Sequence, residues 1–261
     1  MASVSRLEAE IRAKRFSAVA KAPAVTALKD VHLSVAAGKF VCILGPSGCG
    51  KTTLLNIVAG LERDYEGQVS FPDCNEHRPS IGYVFQQPRL LPWRTIEQNL
   101  RLVLRPTQDA ATILQELLTA TGLWDFRHAY PERLSLGMSR RVALARAFAV
   151  EPALLLLDEP FVSLDEGTAD RLRQLLLKIW EQRPATVLFV THDSREAAML
   201  ADRVIVMTPA PGTIQANIRL DMPRVQRTGP VLAALRQRIL DPQMPGLLGQ
   251  VDSGTPFPLR Q

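Results

Sequence analysis

Residues 40–53 read FVCILGPSGCGKTT, and this stretch decides what the rest of the chain must be. Phe40 to Leu44 is an apolar, β-rich run with the texture of a buried parallel strand. Gly45, Gly48 and Gly50 follow without a break, so the chain turns tightly at the strand's end. Gly45, Gly50, Lys51 and Thr52 fit the spacing GxxxxGK(S/T). In that pattern glycines let backbone N–H groups close around phosphate oxygens, the lysine reaches the terminal phosphates and the hydroxyl ligates Mg²⁺. Pro46, Ser47, Cys49 and Thr53 complete the loop that would wrap the anion. Leu54, Leu55, Ile57, Val58 and Leu61 then have amphipathic spacing, and a helix opening near Thr52 aims its partial positive end at the same anion.

Upstream, Leu7, Ala9, Ile11 and Ala13 alternate with charged residues, which predicts a half-exposed strand and lacks the unbroken apolar stretch of a signal peptide. Residues 7–35 read as an antiparallel β region, with Val31, Leu33 and Val35 alternating before a turn at Ala37 and Gly38, and Phe16 on its loop side. Downstream, residues 68–71 and 81–85 read as two short strands around a polar turn. The texture becomes helical over residues 88–149, with 95–103, 108–121 and 139–149 as candidate helices, a helical subdomain inserted into an α/β core. Strands at 154–158, 186–190 and 203–207 then alternate with helices at 168–180 and 194–201, which implies a parallel, doubly wound sheet. A strand at 214–220 and a helix at 230–240 close a single domain over residues 1–240. The Pro- and Gly-rich tail, 241–261, is expected to be mobile.

Composition narrows the class less than the motif does. At 261 residues and 46% hydrophobic the chain can bury a full core, in about one to two domains. A net charge of +5 suits an anionic ligand, nucleic acid or an acidic membrane surface, but the arginines are scattered and do not choose among them. Cys42, Cys49 and Cys74 are odd in number and unpatterned, so neither a disulfide framework nor a zinc site is indicated, and a reducing cytosol is expected. Nowhere do about 18 apolar residues run together, the length a membrane span needs.

Further chemistry is expected at the strand ends. Residues 153–159 read ALLLLDE: a buried strand delivers Asp158 and Glu159 at its carboxyl end, beside the phosphate loop in a doubly wound sheet. Asp158 is then placed to hold Mg²⁺ and Glu159 to polarise an attacking water. The apolar run 186–190 ends in Thr191, His192 and Asp193, which puts an imidazole on the same edge, within reach of a γ-phosphate or the water. Gln86 follows residues 81–85 at another strand end, where its amide could touch Mg²⁺ or water. Cys49 lies near a helix N-terminus that can lower a thiol pKa, although filling a non-glycine position with a small side chain is the more economical role.

Together these residues resemble the ATP-binding cassette (ABC) ATPase family over nearly the whole chain. GPSGCGKTT looks like its Walker A, LLLLDEP its Walker B, Gln86 in VFQQ its Q-loop, and His192 in VTHD its switch histidine. The resemblance implies ATP and Mg²⁺ as ligands, with Phe16 stacked on adenine and a head-to-tail dimer. In that dimer each ATP lies between one copy's Walker A and the other's signature motif. The family's LSGGQ stands here as LSLGM over residues 134–138. Ser135 and Gly137 are kept for the partner's γ-phosphate, while Leu136 and Met138 replace a glycine and an amide, and SALD stands as Val162, Ser163, Leu164 and Asp165. A working but slow ATPase is the expectation.

LLPWRTIEQNL, DEPFVSLDE, THDSREAAMLADRVIVM and PAPGTI look like the importer branch for nitrate, sulfonates and taurine. That branch implies separate permease subunits, a periplasmic solute-binding protein and a peripheral seat on the cytoplasmic face of a bacterial inner membrane. An importer for a thiamine precursor or an aromatic sulfonate is the runner-up. A soluble ABC protein acting on nucleic acid or ribosomes is disfavoured, because there is neither a second GxxxxGK(S/T) nor a heptad array. No nucleic-acid partner is expected. Pairing with a second, different ATPase subunit stays open beside the homodimer.

Overall fold

The computed structural model describes residues 4–18, 24–74, 78–106 and 109–241; most of the predicted tail lies outside the described residues. The chain divides into two compact units, one of residues 1–6, 36–38 and 71–187 and the other of residues 7–35, 39–70 and 188–261.

In the second of these, the alternating segments form β1 (Leu7–Phe16) and β2 (Val25–Val35), antiparallel, with Leu7 opposite Val35, Ala9 opposite Leu33 and Ile11 opposite Val31. These six side chains are all buried, so the period of two sets the register: a slip by one residue would turn them to solvent. β4 (Glu66–Ser70) adds to β1, giving the order β2-β1-β4. Gly67, at φ +138°, allows this approach, because a Cβ there would lie 2.0 Å from the Glu10 carbonyl oxygen.

The same unit holds β3 (Phe40–Leu44), buried at every position, α1 (Lys51–Ala59), α6 (Ser194–Leu200), β8 (Arg203–Met207), β9 (Ile214–Arg219) and α7 (Gly229–Leu240). β7 (Thr186–Thr191) enters it from Leu188, and the strands lie in the order β7-β3-β8-β9. β3 and β8 are parallel, as the alternation of strand and helix predicts, but β9 runs antiparallel to β8. The connection explains this: Thr208 N–H donates to the Thr213 carbonyl at 3.0 Å, a hairpin too short for the crossover a parallel partner needs. The Phe40 and Phe189 rings meet edge-on at 6.0 Å in the core between these strands.

The other unit contains β5 (Ile81–Val84) and β6 (Leu154–Asp158), parallel and in register from Ile81 opposite Leu154 to Val84 opposite Leu157. Its helices are α2 (Ile96–Arg101), α3 (Ala110–Ala120), α4 (Leu136–Ala149) and α5 (Glu166–Gln182). Each start has a local cause. Thr95 and Gln98 form a capping box on α2, and Asp109, Ser135 and Asp165 accept from the third residue beyond them on α3, α4 and α5. The cap at Ser135 starts α4 three residues before the predicted Ser139. Ile113, Leu114, Leu117 and Leu118 line the buried face of α3, and burying such a side chain contributes about 1.5–3 kcal/mol. Against β5, α4 comes close enough that a Cβ on Gly82 would lie 2.3 Å from the Ala147 carbonyl oxygen.

Candidate functional site

β3 ends in Gly45, and the loop that follows is shaped by glycines. Gly48 and Gly50 have φ of +80° and +97°, and a Cβ on Gly50 would lie 2.6 Å from Leu28 Cδ2 and 2.8 Å from the Ala27 carbonyl oxygen. Gly45 is closed in as well, with Cys49 Sγ 2.8 Å from where a Cβ would stand. Gly50 caps α1 without any side-chain hydrogen bond, and no acidic residue occupies the first turn. Lys51 is buried, and its ammonium donates to the carbonyls of Gly45 at 2.8 Å and Pro46 at 2.9 Å. The lysine nitrogen therefore sits inside the loop. Pro46, Ser47, Gly48 and Thr52 are exposed and Thr53 is half-buried. A helix start with no anion of its own, a glycine turn and an enclosed ammonium form a donor set that fits a polyphosphate.

Cys49 is buried, and Gly212 packs so closely that its Cβ would lie 2.0 Å from the Cys49 carbonyl oxygen. That contact is to backbone and accounts for the glycine at 212, while the Cys49 side chain packs against Gly45, with Sγ 2.8 Å from where a Cβ on Gly45 would stand. None of the three cysteines, all of them among the described residues, is in a disulfide.

His192 is exposed and follows the last residue of β7. The turn that carries it is built by its neighbours: Thr191 Oγ1 donates to Glu196 Oε2 at 2.6 Å and accepts from Asp193 N–H at 3.0 Å, while Asp193 Oδ1 accepts from Arg195 N–H at 2.7 Å. Burial pushes the Cys42 thiol, in β3, well above its ordinary pKa, and the Glu196 carboxylate adds to that shift, so Cys42 is a neutral core group. Phe16, predicted on the loop side, is instead the last residue of β1, opposite Val25. It is 43% exposed, with the Lys14 ammonium 4.6 Å from its ring centroid. Lys14 is itself anchored by the Asp64 carbonyl at 2.6 Å and by Glu62 at 3.2 Å.

In the other unit the paired ends of β5 and β6 bring Gln86, Asp158 and Glu159 to one edge. Asp158 is buried as the last residue of β6; Glu159 is half-buried, at φ +44°. Gln86 is exposed. Next to it Tyr83 and Phe85 stack at 3.9 Å, and burial together with the Asp158 charge pushes the Tyr83 hydroxyl up, so it stays protonated as a donor.

Ser135 is exposed, and its Oγ accepts from Met138 N–H at 3.2 Å. Gly137 is required by packing, since a Cβ there would lie 2.9 Å from Thr168 Cγ2 on α5. Leu136 is 43% exposed. Asp165 Oδ1 accepts from Thr168 N–H at 2.9 Å, and that bonding holds its carboxyl below the usual range.

Two shaping residues escaped the sequence reading. Asn99 is fully buried in α2: its Oδ1 accepts from Leu91 N–H at 2.8 Å, and its amide donates to the carbonyls of Leu91, Arg94 and Thr95 at 3.0–3.2 Å, fixing the segment from Leu91 to Trp93. A polar residue between the apolar Ile96 and Leu100 was the available signal. Arg146 is the other; it belongs to the run RRVALARAFA, residues 140–149, whose texture marks a helix and gives this side chain no role of its own.

Comparison with known proteins agrees with this geometry. Residues 28–162 match the family model described as ABC transporter. The aliphatic sulfonates import ATP-binding protein SsuB of Bacillus licheniformis is 44% identical over 217 residues, which is 82% of this chain and 85% of that protein. Its namesake in Bacillus subtilis is 43% identical over 220 residues, 82% of this chain and 86% of that protein. Among solved structures, a post-hydrolysis dimer of the ATP-binding cassette MJ0796 bound to ADP and Pi superposes with a TM-score of 0.70 at 32% identity, covering 83% of this chain and 99% of that one.

Proposed function

We propose, from the premise that this chain belongs to the ABC transporter family, that it is the ATP-hydrolysing subunit of an importer for small anionic solutes of the sulfonate type. The observation that carries this reading is Lys51 enclosed in the glycine loop at an uncapped helix start, in a chain that aligns with sulfonate import subunits along most of its length.

The residues take separate parts. The loop amides from Gly45 to Thr52 and the Lys51 ammonium bind the phosphates, and Phe16 offers its exposed ring to adenine. Thr52, Asp158 and Gln86 are the side chains suited to Mg²⁺, which when bound neutralises charge on the terminal phosphates. Glu159 orients and deprotonates the attacking water, and His192 hydrogen-bonds the γ-phosphate or that water. Ser135 and Gly137 of a second copy supply the opposite wall in a head-to-tail dimer. That assembly is supported by the dimeric state described for MJ0796.

The work is delivered to separate permease subunits, with a periplasmic binding protein supplying the solute. Among the described residues no helix is long and apolar enough to cross a membrane, which fits a peripheral subunit on the inner membrane's cytoplasmic face.

Glu159→Gln is the test. Steady-state ATP hydrolysis should fall roughly 10²–10⁴-fold, the range of a lost general base. With ATP and Mg²⁺ the variant should elute in size exclusion at twice the monomer mass. Wild-type turnover in the variant would remove Glu159 from its role, and a persistent monomer would remove the composite site. Recovery of a membrane permease with the tagged chain, stimulated by an aliphatic sulfonate, tests the transport assignment.

A further inference from the structure

Arg146 lies in the last turn of α4, half-buried. Its guanidinium forks across to another segment: Nη1 donates to the Arg89 carbonyl at 2.9 Å and Nη2 to the Pro88 carbonyl at 2.8 Å. Two parallel charge-assisted bonds to adjacent carbonyls fix orientation as well as distance. Burial lowers the Arg146 pKa, the mark of a cation taken out of water for this contact.

The segment it grips is the one that carries Gln86. Arg89 has φ +46°, and its guanidinium folds back over the Phe85 ring at 4.1 Å, which in turn stacks on Tyr83. On the near side β5 is pressed against α4 at Gly82, beside the carbonyl of Ala147, the residue next to Arg146. Gln86 therefore sits in a short span with both ends moored to one turn of α4: the Gly82 contact before it and the Arg146 fork after it. The other end of α4 is Ser135.

We propose that Arg146 is a positioning residue that moors the Gln86 segment to α4, so that the Ser135 end of the helix and the Gln86 amide move as one lever. This rests on the role proposed above for Gln86. A lysine could satisfy one carbonyl but not both, because its ammonium is a point donor rather than a planar fork.

The full-length chain is compared as wild type, Arg146→Met and Arg146→Lys by amide hydrogen exchange and ATP kinetics. In Arg146→Met, exchange at residues 85–91 should quicken roughly tenfold or more, the size expected for losing hydrogen bonds to a charged donor, with β6 unchanged. Arg146→Lys should fall between the two and serves as the reading should the methionine variant fail to fold. Turnover should drop with the KM for ATP held, and Arg146→Met should add less than about twofold in a Gln86→Ala background, as coupled residues do. Unchanged exchange in the segment, or effects of the two substitutions that multiply, overturns the proposal. Full turnover in Gln86→Ala alone would defeat the reading of Gln86, while the exchange result would still decide the mooring.

Discussion

Helices α1 and α4 begin in opposite ways. α1 opens on Gly50 in left-handed conformation, with no side-chain cap and the Lys51 ammonium folded among the loop carbonyls. α4 opens on Ser135 in extended conformation, and the serine oxygen already accepts from Met138 N–H. An uncapped start keeps its partial positive charge for a ligand from outside the helix. A serine-capped start is content by itself, and offers a second molecule the hydroxyl's own proton and its remaining lone pair. In the proposed head-to-tail dimer the first start would bind an anion within one chain, whereas the second would contribute when another copy brings the anion to it.

Substitutions at the two starts test this contrast. The largest loss is expected for Gly50→Ala, where a positive φ and contacts at 2.6 and 2.8 Å combine; thermal melting should report about 2–4 kcal/mol of destabilisation. An unchanged melt would show that the loop can relax around a Cβ. Lys51→Ala should weaken ATP binding by about 1.5–3 kcal/mol, as for other lost charged hydrogen bonds. Calorimetry at concentrations that keep the chain monomeric reads this directly, and Ser135→Ala in the same titration should bind like the wild type. Equal losses from both substitutions would erase the distinction between the two starts. Ser135→Ala should instead cost about 0.5–2 kcal/mol of stability through the lost cap, together with slower turnover of the dimer.

The smallest effect is expected for Leu136→Gly. A glycine in the first turn costs under about 1 kcal/mol in stability. Removing the exposed side chain should raise dimer turnover roughly twofold to tenfold, up to about 1.4 kcal/mol off the barrier. A fall in turnover would mean that the leucine has been accommodated by the partner's surface.

Much of the fold was legible from local pattern. The period of two in residues 7–35 reports a sheet buried on one face, and β8 occupies the residues its apolar run predicts. Where reading failed, a longer-range or finer cause competed. The helix expected from Ser139 begins at Leu136 and takes in Gly137, because the Ser135 side chain caps it there, and Thr168 Cγ2 crowds the place of a Cβ at 137. Phe16 prolongs β1 because it pairs with Val25, a partner that alternation in one strand does not reveal. The direction of β9 depends on a hairpin whose closing contact is a backbone hydrogen bond rather than a residue type.

The phosphate loop and the family can be read from residue order alone, because glycine conformations, the neighbouring lysine and the start of α1 are consequences of residues a few positions apart. How the segment carrying Gln86 is anchored is a matter of long-range packing. Arg146 meets the carbonyls of Arg89 and Pro88 across 57 and 58 positions, and carbonyls are common to every residue, so packing alone selects which of them a guanidinium will grip.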